Sequence, residues 1–134
     1  PWTAHHFCNT GVPHLVIPVA DVDDVPVGEW GHRLRHHARF APAGTNVNWV
    51  APGDGDEILL RTYERGVEDE TLACGTGASA AAVILCHLER AASPVTIRTR
   101  GGDDLMISVD RAAGSLHLRG PAVTSFEGEV TIDD

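Results

Sequence analysis

The sequence predicts an α+β domain in which mostly antiparallel strands curve around one buried central helix, with a second, short helix at the periphery. Three observations lead there: short apolar, β-branched runs recur along the chain, residues 75–90 are apolar almost all round, and glycine-bearing turns separate the runs.

Taken in order, the predicted strands are residues 15–19, 45–50, 58–63, 95–99, 105–109, 116–118 and 124–126. Between the third and fourth, Ala78, Ala80, Ala81, Ala82, Val83, Ile84, Leu85 and Leu88 leave no polar face, so that helix is buried rather than laid on a surface. Small residues at its N-terminal end let strands or a ligand approach the backbone closely. The peripheral helix is expected over residues 28–39, with Trp30 and Leu34 on one side and Arg33, Arg35, His36 and His37 largely on the other; Asp21, Asp23 and Asp24 before it read as a loop. Turns fall at residues 51–55, 100–103 and 113–114, the last two suited to hairpins.

At 134 residues the chain has the size of one domain. A net charge of -9 argues against a nucleic-acid surface, which gains affinity by neutralising phosphates. No apolar run approaches the ~20 residues of a membrane-spanning helix, and nothing at the start has the order of a signal peptide. The chain opens at Pro1 rather than Met, which suggests a processed chain or an excised piece. Three cysteines, Cys8, Cys74 and Cys86, form no paired spacing, so a disulfide framework is not expected and a reducing compartment such as the cytoplasm fits.

The chemistry concentrates in residues 61–78, where a strand ends in Glu64-Arg65 and Cys74 stands at the start of the buried helix. Free amides and the helix dipole stabilise negative charge there, so the Cys74 thiol is expected below the ~8.5 of a free cysteine. Gly75 and Gly77 carry no side chains, leaving the N–H groups of Gly75 and Thr76 open to an anion such as a carboxylate. The plainer reading of an Ala-Cys-Gly triplet is a buried small residue with glycines for packing, and Glu64-Arg65 could equally be a surface ion pair.

Tyr-Glu-Arg-Gly followed by Glu-Thr-Leu-Ala-Cys-Gly-Thr-Gly resembles the C-terminal signature of diaminopimelate epimerases. Three further segments agree in order: Asn-Thr-Gly-Val-Pro-His ending at His14, Gly-Thr-Asn-Val-Asn-Trp-Val from Gly44, and Gly-Pro-Ala-Val-Thr-Ser-Phe-Glu-Gly-Glu from Gly120. The resemblance spans essentially the whole chain. It implies epimerisation of LL-diaminopimelate to the meso form, a step toward lysine and peptidoglycan precursors, with neither pyridoxal phosphate nor metal. Two pseudo-symmetric domains would each contribute a cysteine, and Cys74 looks like the second. Gly75 and Thr76 would donate backbone hydrogen bonds to the reacting carboxylate, Glu64 would bind the α-amino end and tune the thiols, and His14 would hydrogen-bond near the reacting centre. Arg65 and Asn46 would hold the distal carboxylate. The partner it implies, besides a dicarboxylic amino acid, is an N-terminal domain bearing a Cys-Gly-Asn-Gly motif, which this chain lacks. Val12 stands where many members have an Asn that contacts the distal end.

Other readings compete. A related cofactor-independent racemase of the proline or hydroxyproline type would share the fold, but Glu64-Arg65 favours a substrate with a second carboxylate. A non-catalytic binding or assembly domain is a third, and a cysteine hydrolase would need a base histidine on Cys74. His32 and His36 have the i, i+4 spacing of metal ligands, yet with Arg33, Arg35 and Arg39 interleaved they read as a polar face. His5 and His6 read as terminal and unengaged, and Cys8 and Cys86 as packing residues. A homodimer pairing two Cys74 thiols about a twofold axis is conceivable, though no self-complementary surface shows in the sequence.

Overall fold

A computed structural model describes residue 2 and residues 4–132. Eight strands form one mixed sheet: β1 (His6–Asn9), β2 (Pro13–Pro18), β3 (Asn46–Pro52), β4 (Ile58–Glu64), β5 (Asp69–Thr71), β6 (Val95–Arg98), β7 (Asp104–Asp110) and β8 (Ser115–Arg119). Two α-helices accompany them, α1 (Val27–Arg35) and α2 (Gly75–His87). The strand order is β1-β2-β3-β4-β6-β7-β8, with β5 paired to β4. This curled half-barrel carries two parallel pairs, β2 with β3 and β4 with β6. The other pairs are antiparallel, in keeping with the mostly antiparallel expectation; each parallel pair is joined through a helix, α1 in one case and α2 in the other, and a helical crossover is what parallel neighbours require.

Period-2 alternation sorts the central strands onto two faces. Val16, Val50, Ile58 and Leu60 join Ile97, Ile107 and the alanines of α2 in one core; Leu15, Ile17, Val47, Trp49 and Tyr63 join Val22, Val25 and Val27 in the other. Strands buried on both faces read as continuous apolar runs, which is why β2 and β3 stand out in the sequence. The large side chains among them each contribute ~1.5–3 kcal/mol of burial. Between the layers α1 presses its buried Gly31 onto Tyr63, where an added Cβ would lie 2.3 Å from a ring carbon. Gly31→Ala is therefore expected to destabilise the fold by about 1–3 kcal/mol through overpacking, read as a lowered midpoint in urea with unchanged slope.

Element boundaries differ from the sequence expectation for local reasons. Helix α2 stops at His87 instead of continuing to residue 90, because Glu89 adopts φ 56° and the N–H groups of Glu89 and Arg90 turn back to the carbonyls of Cys86 and Leu85. That is a Schellman cap made without glycine. Helix α1 ends at Arg35, followed by a single 3-10 turn at Ala38–Phe40, so residues 28–39 are not one helix. Gly44, at φ 71°, lies against the Arg35 carbonyl, and the Thr45 N–H donates to it. Strand β1 includes His6, which is therefore engaged rather than terminal, while His5 stays exposed. The strand expected at residues 124–126 is not formed: residues 120–132 have no regular structure and are exposed, because no neighbouring edge in the sheet pairs with them. No helix among the described residues is long and apolar enough to cross a membrane.

Candidate functional site

Parallel β2 and β3 begin, and antiparallel β4 ends, on the same side of the sheet, and α2 starts there after the β4–β5 turn. His14 and Asn46 face each other in register at the starts of β2 and β3, Glu64 closes β4, Arg65 follows it, and Cys74 is the N-cap of α2. The motifs spread over 60 residues of sequence are thus gathered at one end of the fold.

The Cys74 carbonyl accepts the first helical bond from Ala78 N–H at 2.9 Å, leaving the N–H groups of Gly75, Thr76 and Gly77 without helical partners. Thr76 is exposed and Gly75 half-buried, so this turn meets solvent. Cys74 Sγ lies 3.6 Å from Thr76 Oγ1. Gly77 keeps the turn open: an added Cβ would stand 2.5 Å from Asn48 Oδ1 and 3.2 Å from the sulfur.

The thiol does not titrate as the helix start led us to expect. Burial pushes the Cys74 pKa above its ordinary value and outweighs the Thr76 hydroxyl and the Gly77 and Thr76 amides, which favour the thiolate, while Glu64 adds to the rise. Taking the thiolate out of water costs more than the neighbouring donors return. Burial likewise raises Cys8 and Cys86, which pack in or against the α2 core. Alkylation of Cys74 is therefore expected to accelerate only as pH rises above the range of a free cysteine; a rate already level at pH 7.5 would contradict this.

His14 is fully buried, its Nε2 3.0 Å from Thr76 Oγ1 and its Nδ1 3.1 Å from Asn48 Nδ2. Burial, helped by the charge of Arg65, pushes its pKa down to about 4, so the ring is neutral near pH 7. Glu64 accepts from the Thr71 hydroxyl at 2.9 Å. Asn46 is 4% exposed, donating to Pro13 O at 3.1 Å and accepting from Arg65 N–H at 2.7 Å, so its amide ties three strand ends together. The Arg65 guanidinium makes one long contact, 3.4 Å to Ala43 O, and remains partly exposed. Val12 is half-buried and brings no polar group. Thr10, Asn48, Thr62 and Thr71 were not singled out in the sequence; Thr10 Oγ1 anchors the first turn by donating to Thr76 O at 2.8 Å. The signal that could have found Asn48 is its place, two residues after Asn46, in an otherwise apolar strand.

His32, His36 and Glu68 come together on the surface, their ligand atoms within 4.8 Å of one another. Arg35 Nε already donates to Glu68 at 2.9 Å and His36 Nε2 stands 3.2 Å from the other oxygen, which makes this an ion-pair cluster on the polar side of α1.

With this geometry in view, the comparisons are specific. The family model of diaminopimelate epimerase matches residues 6–125. Among curated proteins, the diaminopimelate epimerase of Aquifex aeolicus is 47% identical over 127 residues, 93% of this chain and 45% of that one. The corresponding protein of Chlorobaculum tepidum is 39% identical over 128 residues, 95% of this chain and 50% of that one. The chain spans about half the length of the curated relatives it matches. Among solved structures, a phenazine biosynthesis protein of the PhzF family from Enterococcus faecalis superposes with TM-score 0.57 at 17% identity over 75% of this chain and 35% of that one. A probable proline racemase from Agrobacterium radiobacter K84 superposes with TM-score 0.51 at 17% identity over 85% of this chain and 39% of that one. At such identities these two speak for the fold alone.

Proposed function

The chain belongs to the diaminopimelate epimerase family, and on that premise we propose that it supplies one of two opposed acid/base groups, with part of the substrate pocket, for inverting the α-carbon of LL-diaminopimelate. The supporting observation is the meeting of Cys74, Thr76, His14, Glu64 and Arg65 at the open first turn of α2. The reading also takes α2 as the central helix about which the strands curve, supported by its buried residues 77–82 and its packing against strands from both ends of the sheet.

In this mechanism the substrate carboxylate sits on the free N–H groups of Gly75 and Thr76, where helix amides favour an anion. Glu64 receives the α-ammonium group. Arg65, aided by Asn46, takes the distal carboxylate, with the planar fork that matches it. Cys74 rests as a thiol because it is buried, so it enters as the acid: it delivers its proton to one face of the α-carbon while a thiolate from the complementary half removes the α-proton from the other. The Cys74 thiolate left behind is stabilised by the Thr76 hydroxyl and the Thr76 and Gly77 amides, and in the reverse direction it is the base. Proton count is conserved in each passage. The reducing, cytoplasmic setting expected from the cysteines suits a thiol that must stay reduced.

The direct test pairs this chain with the N-terminal half of a family member and assays LL-diaminopimelate against L-proline. Inversion of diaminopimelate alone is expected; turnover of proline in its place would favour the sister racemases, and turnover of neither a binding or assembly role.

A further inference from the structure

We propose that Asn48 is a positioning residue for Cys74: it fixes the tautomer of His14 so that the Thr76 hydroxyl points its hydrogen at the sulfur. The inference rests on the reading of Cys74 as the acid/base group and extends it to the residue behind it.

Donors and acceptors follow one another through a buried chain of side chains. Asn48 and His14 are both fully buried, and Thr62 is 2% exposed. The Asn48 Nδ2 donates to the Leu15 carbonyl at 3.0 Å, a group that can only accept, while the Thr62 hydroxyl stands 2.9 Å from Oδ1. The amide orientation is therefore set by its backbone partner. Its second N–H faces His14 Nδ1 at 3.1 Å, so that nitrogen must accept and the ring proton sits on Nε2. Nε2–H then donates to Thr76 Oγ1 at 3.0 Å. With that lone pair taken and no acceptor on His14, the Thr76 hydrogen is left for Cys74 Sγ at 3.6 Å. In the opposite tautomer Nδ1–H would meet the Asn48 N–H head on, and Thr76 would turn its hydrogen to Nε2 and away from the sulfur. Strand alternation explains how one residue reaches so far: Asn48 points toward α2, where its Oδ1 occupies the space that a side chain at Gly77 would need.

The experiment uses the full chain labelled with 15N-histidine, its His14 signals assigned by His14→Gln. Near pH 7 the expected spectrum shows His14 protonated on Nε2 alone. Asn48→Asp, which places an acceptor against Nδ1, is expected to reverse the tautomer. Thr76→Val isolates the hydroxyl without adding charge: it is expected to raise the apparent pKa of Cys74 alkylation by about one unit, a tenfold slower reaction at fixed pH below it, and Thr76→Ser to restore the rate. Should Asn48→Asp fail to fold, the unmodified chain and the Thr76 pair still decide. Nδ1 protonation of His14 in the unmodified chain would overturn the proposal, as would an unchanged Cys74 titration in Thr76→Val. Neither result depends on turnover, so failure of the epimerase reading itself, seen as activity that survives loss of Cys74, remains distinguishable.

Discussion

Cys74→Ala, assayed with the complementary half present, is expected to lower epimerisation of LL-diaminopimelate by at least ~10²–10⁴-fold, the usual contribution of a positioned proton donor. The loss would be confined to kcat, since Gly75, Thr76 and Arg65 would still hold the substrate. Folding is expected to survive, because removing one sulfur at the start of α2 empties little space. Cys86→Ala and Cys8→Ala provide the contrast. Both thiols belong to the packing around α2, Cys86 near its far end and Cys8 opposite His14 across the β1–β2 pair, and neither stands at the open first turn, so turnover should stay near the parent value. Equal losses in all three variants would mean that the cysteines act through stability alone.

Arg65→Lys is expected to have the second-largest effect, an increase of about ten- to a hundredfold in KM for diaminopimelate. A charge-assisted hydrogen bond is worth ~1.5–3 kcal/mol, and lysine keeps the charge while losing the paired geometry. Arg65 is suited to this because its guanidinium is only lightly engaged, by one 3.4 Å contact to Ala43 O. Compare Arg61, whose guanidinium is committed to Glu70 at 2.7 and 2.8 Å and to the carbonyls of Val22 and Val25, and which is therefore part of the scaffold. A KM unaltered by Arg65→Lys would place the distal carboxylate elsewhere. Since Val12 offers no side-chain amide, the pocket would then need another donor.

Much of this fold is written in local pattern. Strands β2 and β3 are apolar over most of their length because both their faces are buried, and α2 shows few polar residues because most of its residues are buried. What local pattern lacks is the partner in space. Strand β1, His6–Asn9, alternates too briefly to be told from a loop, and β5 is a strand only because Glu64 and Thr62 lie opposite it. Glu89 takes a left-handed conformation that its residue type does not announce, so the end of α2 could not be read. Residues 120–132 show the reverse case: Val123, Phe126, Val130 and Ile132 have strand-forming side chains, yet all are more than four-fifths exposed, with no strand beside them.

At the candidate site, the sequence pattern misjudged the balance of forces on one residue. The helix start at Cys74 was legible, and its dipole argues for a thiolate. Burial is a property of the assembled fold and decides the direction. The same holds for Asn46 and Asn48. Two polar residues in an apolar strand mark a site, but only the structure shows that Asn46 secures strand ends while Asn48 stands behind His14.

The central claim is that this chain holds half of a two-faced proton-transfer site, and it is tested most directly in deuterated water by following α-carbon labelling and inversion separately. For the chain with its complementary half, inverted product is expected to carry solvent deuterium while recovered substrate at early times does not, since the base and the acid are different groups. For the chain alone no inversion at an enzymatic rate is expected. Full-rate inversion by the chain alone, abolished by Cys74→Ala, would contradict the half-site and place two Cys74 thiols across a homodimer instead.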